Sequence, residues 1–150
     1  EDRICYGSPR PDGTSWKKYM LSQVHLPMDR VHFTGGLPYG QYRDLLRCST
    51  VHVYLTRPFV LSWSMLEAMA CGCLVVASDT EPVREVLRHG HNGLLCDFFS
   101  PRAIAGSVLQ ALEKQEQLKP LRQAARNTIV ARYELTALLP QLERMLVGTG

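Results

Sequence analysis

The strongest hydrophobic patterning in the chain runs from Val51 to Ser78, V-H-V-Y-L-T-R-P-F-V-L-S-W-S-M-L-E-A-M-A-C-G-C-L-V-V-A-S. Val51, Val53 and Leu55 are strand-type residues, whereas Leu74, Val75, Val76 and Ala77 are apolar at successive positions. Such a run suits a parallel strand covered on both faces better than a half-exposed one. Between them, Ser62 to Cys71 is helix-forming and almost wholly apolar, and Gly72 is placed to end it. The pattern therefore predicts strand, loop, helix, strand, joined as a right-handed parallel crossover. Glu67 is the only acid inside that helix.

The same reading extends in both directions. Upstream it predicts a strand at Arg3 to Tyr6, a loop at Gly7 to Gly13, and a helix capped by Thr14 or Ser15 with Trp16, Tyr19, Met20 and Val24 on its apolar face. A second strand is predicted at Val31 to Thr34. After it come the turn Gly35-Gly36-Leu37-Pro38 and a helix presenting Tyr42, Leu45 and Leu46. Downstream, Glu81-Pro82 opens a helix through Val83, Val86 and Leu87 that stops near Gly90. Asn92-Gly93 is a turn and Leu94 to Cys96 a small strand. Ser100-Pro101 starts a helix with the face Ile104, Ala105, Val108, Leu109 and Leu112. Leu118, Leu121, Ala125 and Ile129 mark another, with Arg122 and Arg126 read as a solvated face. Leu135, Leu138, Leu139, Leu142, Met145 and Leu146 form the last stripe, where Pro140 is expected to kink or restart the helix. Strands alternate with helices for two thirds of the chain and helices alone fill the rest. The predicted class is α/β: one Rossmann-like, doubly wound parallel sheet over residues 1–150, with extra helices at the C-terminal side.

Composition narrows the partners. At 150 residues and 45% hydrophobic content the chain fits one ordinary globular domain. No run reaches the ~18 apolar residues of a membrane span. Seventeen basic against fourteen acidic residues give +3, too mild and too scattered to argue for nucleic acid. The opening E-D-R-I-C-Y shows no leader pattern and no initiator Met, and suggests a fragment. Five cysteines, Cys5, Cys48, Cys71, Cys73 and Cys96, lack the second pair or His cluster of a metal site. They are expected to be reduced core residues, which points to a cytoplasmic setting and to no bound metal.

In such sheets ligands collect at the carboxyl ends of the strands. The loop Thr56 to Leu61 leads into Ser62, where the first helix amides lack intrahelical acceptors and the helix dipole adds roughly half a positive charge. A phosphate suits that position. Glu67 lies about 7.5 Å further along the axis, at about 1.5 Å per residue, within reach of hydroxyls a few bonds from the phosphate, such as a ribose diol. A structural alternative stands beside this one. Ser64-x-x-Glu67 matches a capping box, in which Glu67 would bond the backbone amide of Ser64.

L-E-A-M-A-C-G-C-L-V-V-A-S-D, preceded by V-H-F-T-G-G-L-P and followed by P-V-R-E-V-L-R-H-G-H-N-G-L-L, resembles the nucleotide-sugar half of a retaining glycosyltransferase of family 4, also called group 1, with the two-domain GT-B fold. The resemblance covers roughly Val31 to Leu112, with several motifs in order. It implies that Glu67 is the second glutamate of the family's E-x7-E motif and holds the donor ribose. It places Val60, Leu61 and Ser62 on the donor diphosphate, Gly36 and Leu37 at the nucleobase, and Glu85 in a segment of either structural or ligand role. The first glutamate of the motif would fall at position 59, which is Phe59. A phenyl ring cannot accept the sugar's hydrogen bonds. Phe59 could pack on an apolar face of a different donor sugar, or plug the end of the strand.

By that resemblance the chain is most of the donor-binding half of a glycosyltransferase that uses a nucleotide diphosphate sugar and needs no further cofactor. The acceptor site, and with it any peripheral membrane contact, would belong to an N-terminal domain outside this chain. Two alternatives are a non-catalytic module that keeps the fold, prompted by Phe59, and a GT-B nucleotide-sugar epimerase. A dinucleotide-dependent oxidoreductase is disfavoured, because no G-x-G-x-x-G follows an early strand.

Overall fold

The computed structural model describes residues 8–57 and 60–148, which fall into two compact units, residues 1–38 and 39–150. The predicted strand at Arg3 to Tyr6, together with Cys5 and Phe59, lies outside the described residues. In the smaller unit, helix α1 (Trp16–Gln23) starts at Ser15, whose hydroxyl accepts the Lys18 amide at 3.1 Å. Arg10 is stacked 3.6 Å from the centre of the Tyr19 ring and paired with Asp12 at 2.8 Å. That guanidinium, with Thr14, holds the Asp12 carboxyl far below the usual carboxylate range. Val31 to Thr34 forms no ladder with any described strand, so this strand prediction is corrected. A short β-prone run becomes a strand only where a neighbour supplies the other half of its hydrogen bonds.

The larger unit runs α2 (Tyr39–Cys48), β1 (Val51–Tyr54), α3 (Trp63–Ala70), β2 (Leu74–Ser78), α4 (Glu81–Arg84), β3 (Leu94–Cys96), α5 (Pro101–Glu113), α6 (Gln115–Arg132) and α7 (Leu135–Val147). The three strands are parallel in the order β1-β2-β3, with Val53 opposite Val76 and Val76 opposite Leu94. Every residue of β2 is buried. Strand alternation sends Val75 and Ala77 to one face, where they pack with Leu46, Met65, Ala68, Met69, Val83 and Leu87. Leu74 and Val76 go to the other face, with Leu94, Cys96 and Ala111. Helix α6 serves both sides: Ala125 and Ile129 join the first cluster, Leu118 and Leu121 the second. The sheet is therefore covered on both faces, the Rossmann-like α/β architecture expected from the sequence.

Several local expectations change. The seam of α5 is Ile104, Val108 and Ala111, spaced four and three apart, while Leu109 and Leu112 are exposed. Close packing on the sheet favours the small Ala111 over the larger leucines. Helix α4 is a single turn rather than a helix to Gly90, because Asn92 captures the backbone that follows it. Asn92 is buried; its Nδ2 donates to the Val86 carbonyl at 2.9 Å and Thr128 Oγ1 at 3.1 Å, and its Oδ1 accepts the Arg88 amide at 2.6 Å. Helix α7 runs through Pro140 without a break. Cys48 is exposed and Cys71 half-buried, so only Cys73 and Cys96 of the described cysteines belong to the core. Burial pushes the Cys73 thiol up to about 11. Among the described residues no helix is long and apolar enough to cross a membrane.

Gly93 sits where two layers meet. A Cβ there would come within 2.6 Å of Leu87 Cδ1 and 3.0 Å of the Val75 carbonyl oxygen. Replacing Gly93 with Ala should cost about 1–3 kcal/mol, the usual price of overpacking. Urea unfolding would show this as a lower midpoint with an unchanged slope; an unmoved midpoint refutes it. His52 on β1 supplies a second handle. Burial lowers its folded-state pKa below the ordinary 6.5, so the unfolded chain takes up the proton first as pH falls. Its contribution to stability is complete above the unfolded value and drains away as pH drops toward the folded one. Between pH values of about 7.5 and 5.5, His52→Gln should flatten the stability–pH slope, and an identical slope in the variant counts against it.

Candidate functional site

The site is organised by α3, whose two ends are fixed in different ways. At the N-terminus Ser62, in extended conformation, is the cap, and its hydroxyl accepts the Ser64 amide at 3.3 Å. The Ser62 amide itself donates to Tyr54 Oη at 3.0 Å, and the Thr56 amide donates to Ser78 Oγ at 2.8 Å. The last residue of β1 thus holds Ser62 and the buried last residue of β2 holds Thr56. Leu61 packs against the core, whereas Val60 is exposed.

At the C-terminus Gly72 takes φ +79°, the left-handed conformation that suits glycine. The Gly72 amide donates to the Met69 carbonyl at 3.0 Å and the Cys73 amide to the Ala68 carbonyl at 3.0 Å, a Schellman ending. Two carbonyls beyond it are taken by arginines of α6. Arg122 Nε donates to the Gly72 carbonyl at 2.6 Å, and Arg126 Nη1 to the Ala70 carbonyl. These arginines form a cationic clamp on the negative end of the α3 dipole; Arg126 is also solvent-exposed, as the solvated-face reading has it, whereas Arg122 is half-buried. The helix-end carbonyls that Gly72 forecasts were the available signal for them.

The capping-box alternative for Glu67 does not hold. Ser62 is the cap, so Ser64 is the second residue of the helix, and its amide goes to Ser62 Oγ. Glu67 instead lines a cavity of about 250 Å³ between α2 and α3, together with Tyr39, Tyr42, Arg43, Ala70 and Arg126. It is half-buried. Tyr42 was missed as a site residue because it reads as one apolar position of an amphipathic helix. Leu45, expected on the same face as Tyr42 and Leu46, is exposed.

Gly36 and Leu37 occupy a bend after Gly35, which takes φ +64°; they belong to the smaller unit, and Gly36 is exposed. Glu85 is exposed, following the last residue of α4, and its described role is its backbone amide, bonded to the Glu81 carbonyl at 3.2 Å. Among the described residues no cluster of three His, Cys, Asp or Glu side chains could hold a metal ion.

A parallel sheet with both faces covered, and a helix N-terminus opening beside the carboxyl end of β1, make this a Rossmann-like α/β unit. Anabaena HepE in complex with UDP superposes with a TM-score of 0.80 at 21% identity, over 89% of this chain and 36% of that one. Sucrose-phosphate synthase from Thermosynechococcus elongatus superposes at 0.75 with 24% identity, over 94% and 37%. The family model for glycosyl transferases of group 1 matches residues 12–128, and the chain belongs to that family. Among curated relatives, the N-acetyl-alpha-D-glucosaminyl L-malate synthase of Bacillus anthracis is 26% identical over 83% of this chain and 32% of its own length. The phosphatidyl-myo-inositol mannosyltransferase of Mycobacterium tuberculosis is 36% identical over 57% and 24%. The chain thus spans about a third or less of these relatives.

The tether on Ser62 can be tested directly. Tyr54→Phe removes the acceptor of the Ser62 amide and should cost about 0.5–1.5 kcal/mol. Amide exchange at Ser62 should accelerate while that of β2 stays slow; unchanged exchange at Ser62 rules the tether out.

Proposed function

We propose that this chain is the donor-binding part of a glycosyltransferase that moves a sugar from a nucleoside diphosphate sugar to an acceptor with retention of configuration. The observation that carries this reading is the placement of Glu67. It stands one and a half turns into α3, in a cavity, released from the capping role that its sequence context allowed. Membership of the group 1 family supports the reaction class. The HepE structures with UDP and with UDP-glucose make UDP the first nucleotide to test.

In this reading Glu67 accepts hydrogen bonds from the donor ribose, and the diphosphate lies over Val60, Leu61 and Ser62 at the positive end of α3. The Ser62 amide already has Tyr54 as its acceptor, so the diphosphate would be met by the neighbouring backbone and the helix dipole. Gly36 and Leu37 would approach the nucleobase and Phe59 the donor sugar. Catalysis would be positioning, plus stabilisation of the departing diphosphate by helix-end amides and cations. The acceptor site would lie on an N-terminal domain, with residues 1–150 forming one donor-binding domain. No further cofactor enters the scheme, the setting would be cytoplasmic, and any membrane contact would be made by the acceptor side.

The test is nucleotide binding by the full-length protein, with Glu67→Ala beside wild type. Losing a charged acceptor should cost roughly 1.5–3 kcal/mol, about ten- to a hundredfold in affinity. Equal binding by both proteins removes Glu67 from the site. Phe59, in place of a sugar-binding glutamate, favours a second reading, a module that keeps the fold without the chemistry. Failure of wild type to bind any nucleoside diphosphate would establish that reading instead.

A further inference from the structure

Tyr42 carries an unexplained polar atom. It is the fourth residue of α2, and its ring packs against the core cluster that contains Leu46, one turn further along the same face, and Met65, Ala68 and Met69 of α3. Its hydroxyl oxygen is buried beside the Glu67 carboxylate but makes no well-formed hydrogen bond. A buried hydroxyl without a partner is costly, and native structures seldom keep one without a reason. Across the cavity the facing side chain from α3 is Glu67. Burial first, and then the Glu67 carboxylate, raise the phenol's pKa. Tyr42 is therefore a neutral donor beside a group that, when ionised, can only accept.

We propose that Tyr42 is a positioning residue for Glu67: when a nucleotide binds, the Tyr42 hydroxyl donates to one oxygen of the Glu67 carboxylate and leaves the other facing the ribose diol. Glutamate has three side-chain rotors, and ordering them on binding costs affinity unless a neighbour fixes the carboxylate. The anchored tyrosine ring supplies a fixed point for this, and the hydroxyl gains the partner that it lacks. The inference rests on the ribose-binding role proposed for Glu67 and extends it to a residue on a different helix.

The experiment is a binding cycle on the full-length protein with UDP, ADP and GDP, each beside its 2′,3′-dideoxy counterpart, for wild type, Tyr42→Phe, Glu67→Ala and the double variant. Wild type should prefer the ribonucleotide, and Glu67→Ala should erase that preference. Tyr42→Phe should weaken the ribonucleotide about three- to tenfold, as loss of one hydrogen bond does. It should leave the dideoxynucleotide unchanged and add nothing to Glu67→Ala, the non-additivity of residues acting through one another. Its folding stability should be equal to or above that of wild type, because an unpaired buried hydroxyl is removed. Equal weakening of both nucleotides, an additive double variant or a destabilised Tyr42→Phe overturns the positioning role. If Glu67→Ala erases the diol preference and Tyr42→Phe does nothing, only the Tyr42 inference falls. If Glu67→Ala keeps the preference, or wild type binds none of the nucleotides, the role of Glu67 falls and the inference with it.

Discussion

Everything in the larger unit depends on the burial of β2 from both sides. A strand with one wet face can slip or twist with little penalty, but β2 has no wet face: Leu74 and Val76 fill one cluster, Val75 and Ala77 the other. A one-residue slip would exchange the two sets and spoil both layers together. The strand's own backbone is satisfied by parallel partners on each edge. Helices must then cover each face, and α6 is long enough at eighteen residues to contribute to both clusters. The close approach at Gly93 follows from the same crowding, since its Cα lies where Leu87 and the Val75 carbonyl leave no room for a methyl group.

From that fixed strand the position of the site follows by short steps. Ser78, the last residue of β2, holds the Thr56 amide, and Tyr54, the last residue of β1, holds the Ser62 amide. Both anchors come from strand ends, so Thr56 and Ser62 are each tied to the sheet. At the other end of α3 the Schellman turn and two arginines neutralise the carbonyls. An eight-residue helix is too short to be stable alone. Here both of its termini are tied to the fold, and it can present a carboxylate at a fixed height above its N-terminus.

The central unit was legible because its signals were redundant. Consecutive apolar residues at 74–77, a helix-forming run before them and a glycine between gave the crossover without any tertiary information. Glu67 was legible as the lone acid of an apolar helix, but not its role, because a cap and a ligand share the same spacing; only the location of the cap at Ser62 separates them. Tyr54, Ser78 and Tyr42 were not legible. Tyr54 and Ser78 act through a single polar atom that reaches another segment, Tyr42 lines the cavity beside Glu67, and each occupies a position that the packing of the fold already explains. The carbonyl contacts of Arg122 and Arg126 were missed for a related reason, since amphipathic periodicity assigns cations to solvent and takes no account of unpaired carbonyls on a neighbouring helix.

These differences bear on how the cavity could work. Its α3 wall is tied at both ends, with Met65, Ala68 and Met69 buried. Its α2 wall buries one residue, Leu46, and is held to the rest of the unit mainly by that side chain and the Tyr42 ring. Elements with little buried apolar surface open at lower free energy than core elements. In the proposed reading, that division lets the α3 wall define where the ribose goes, while α2 contributes the Tyr42 hydroxyl.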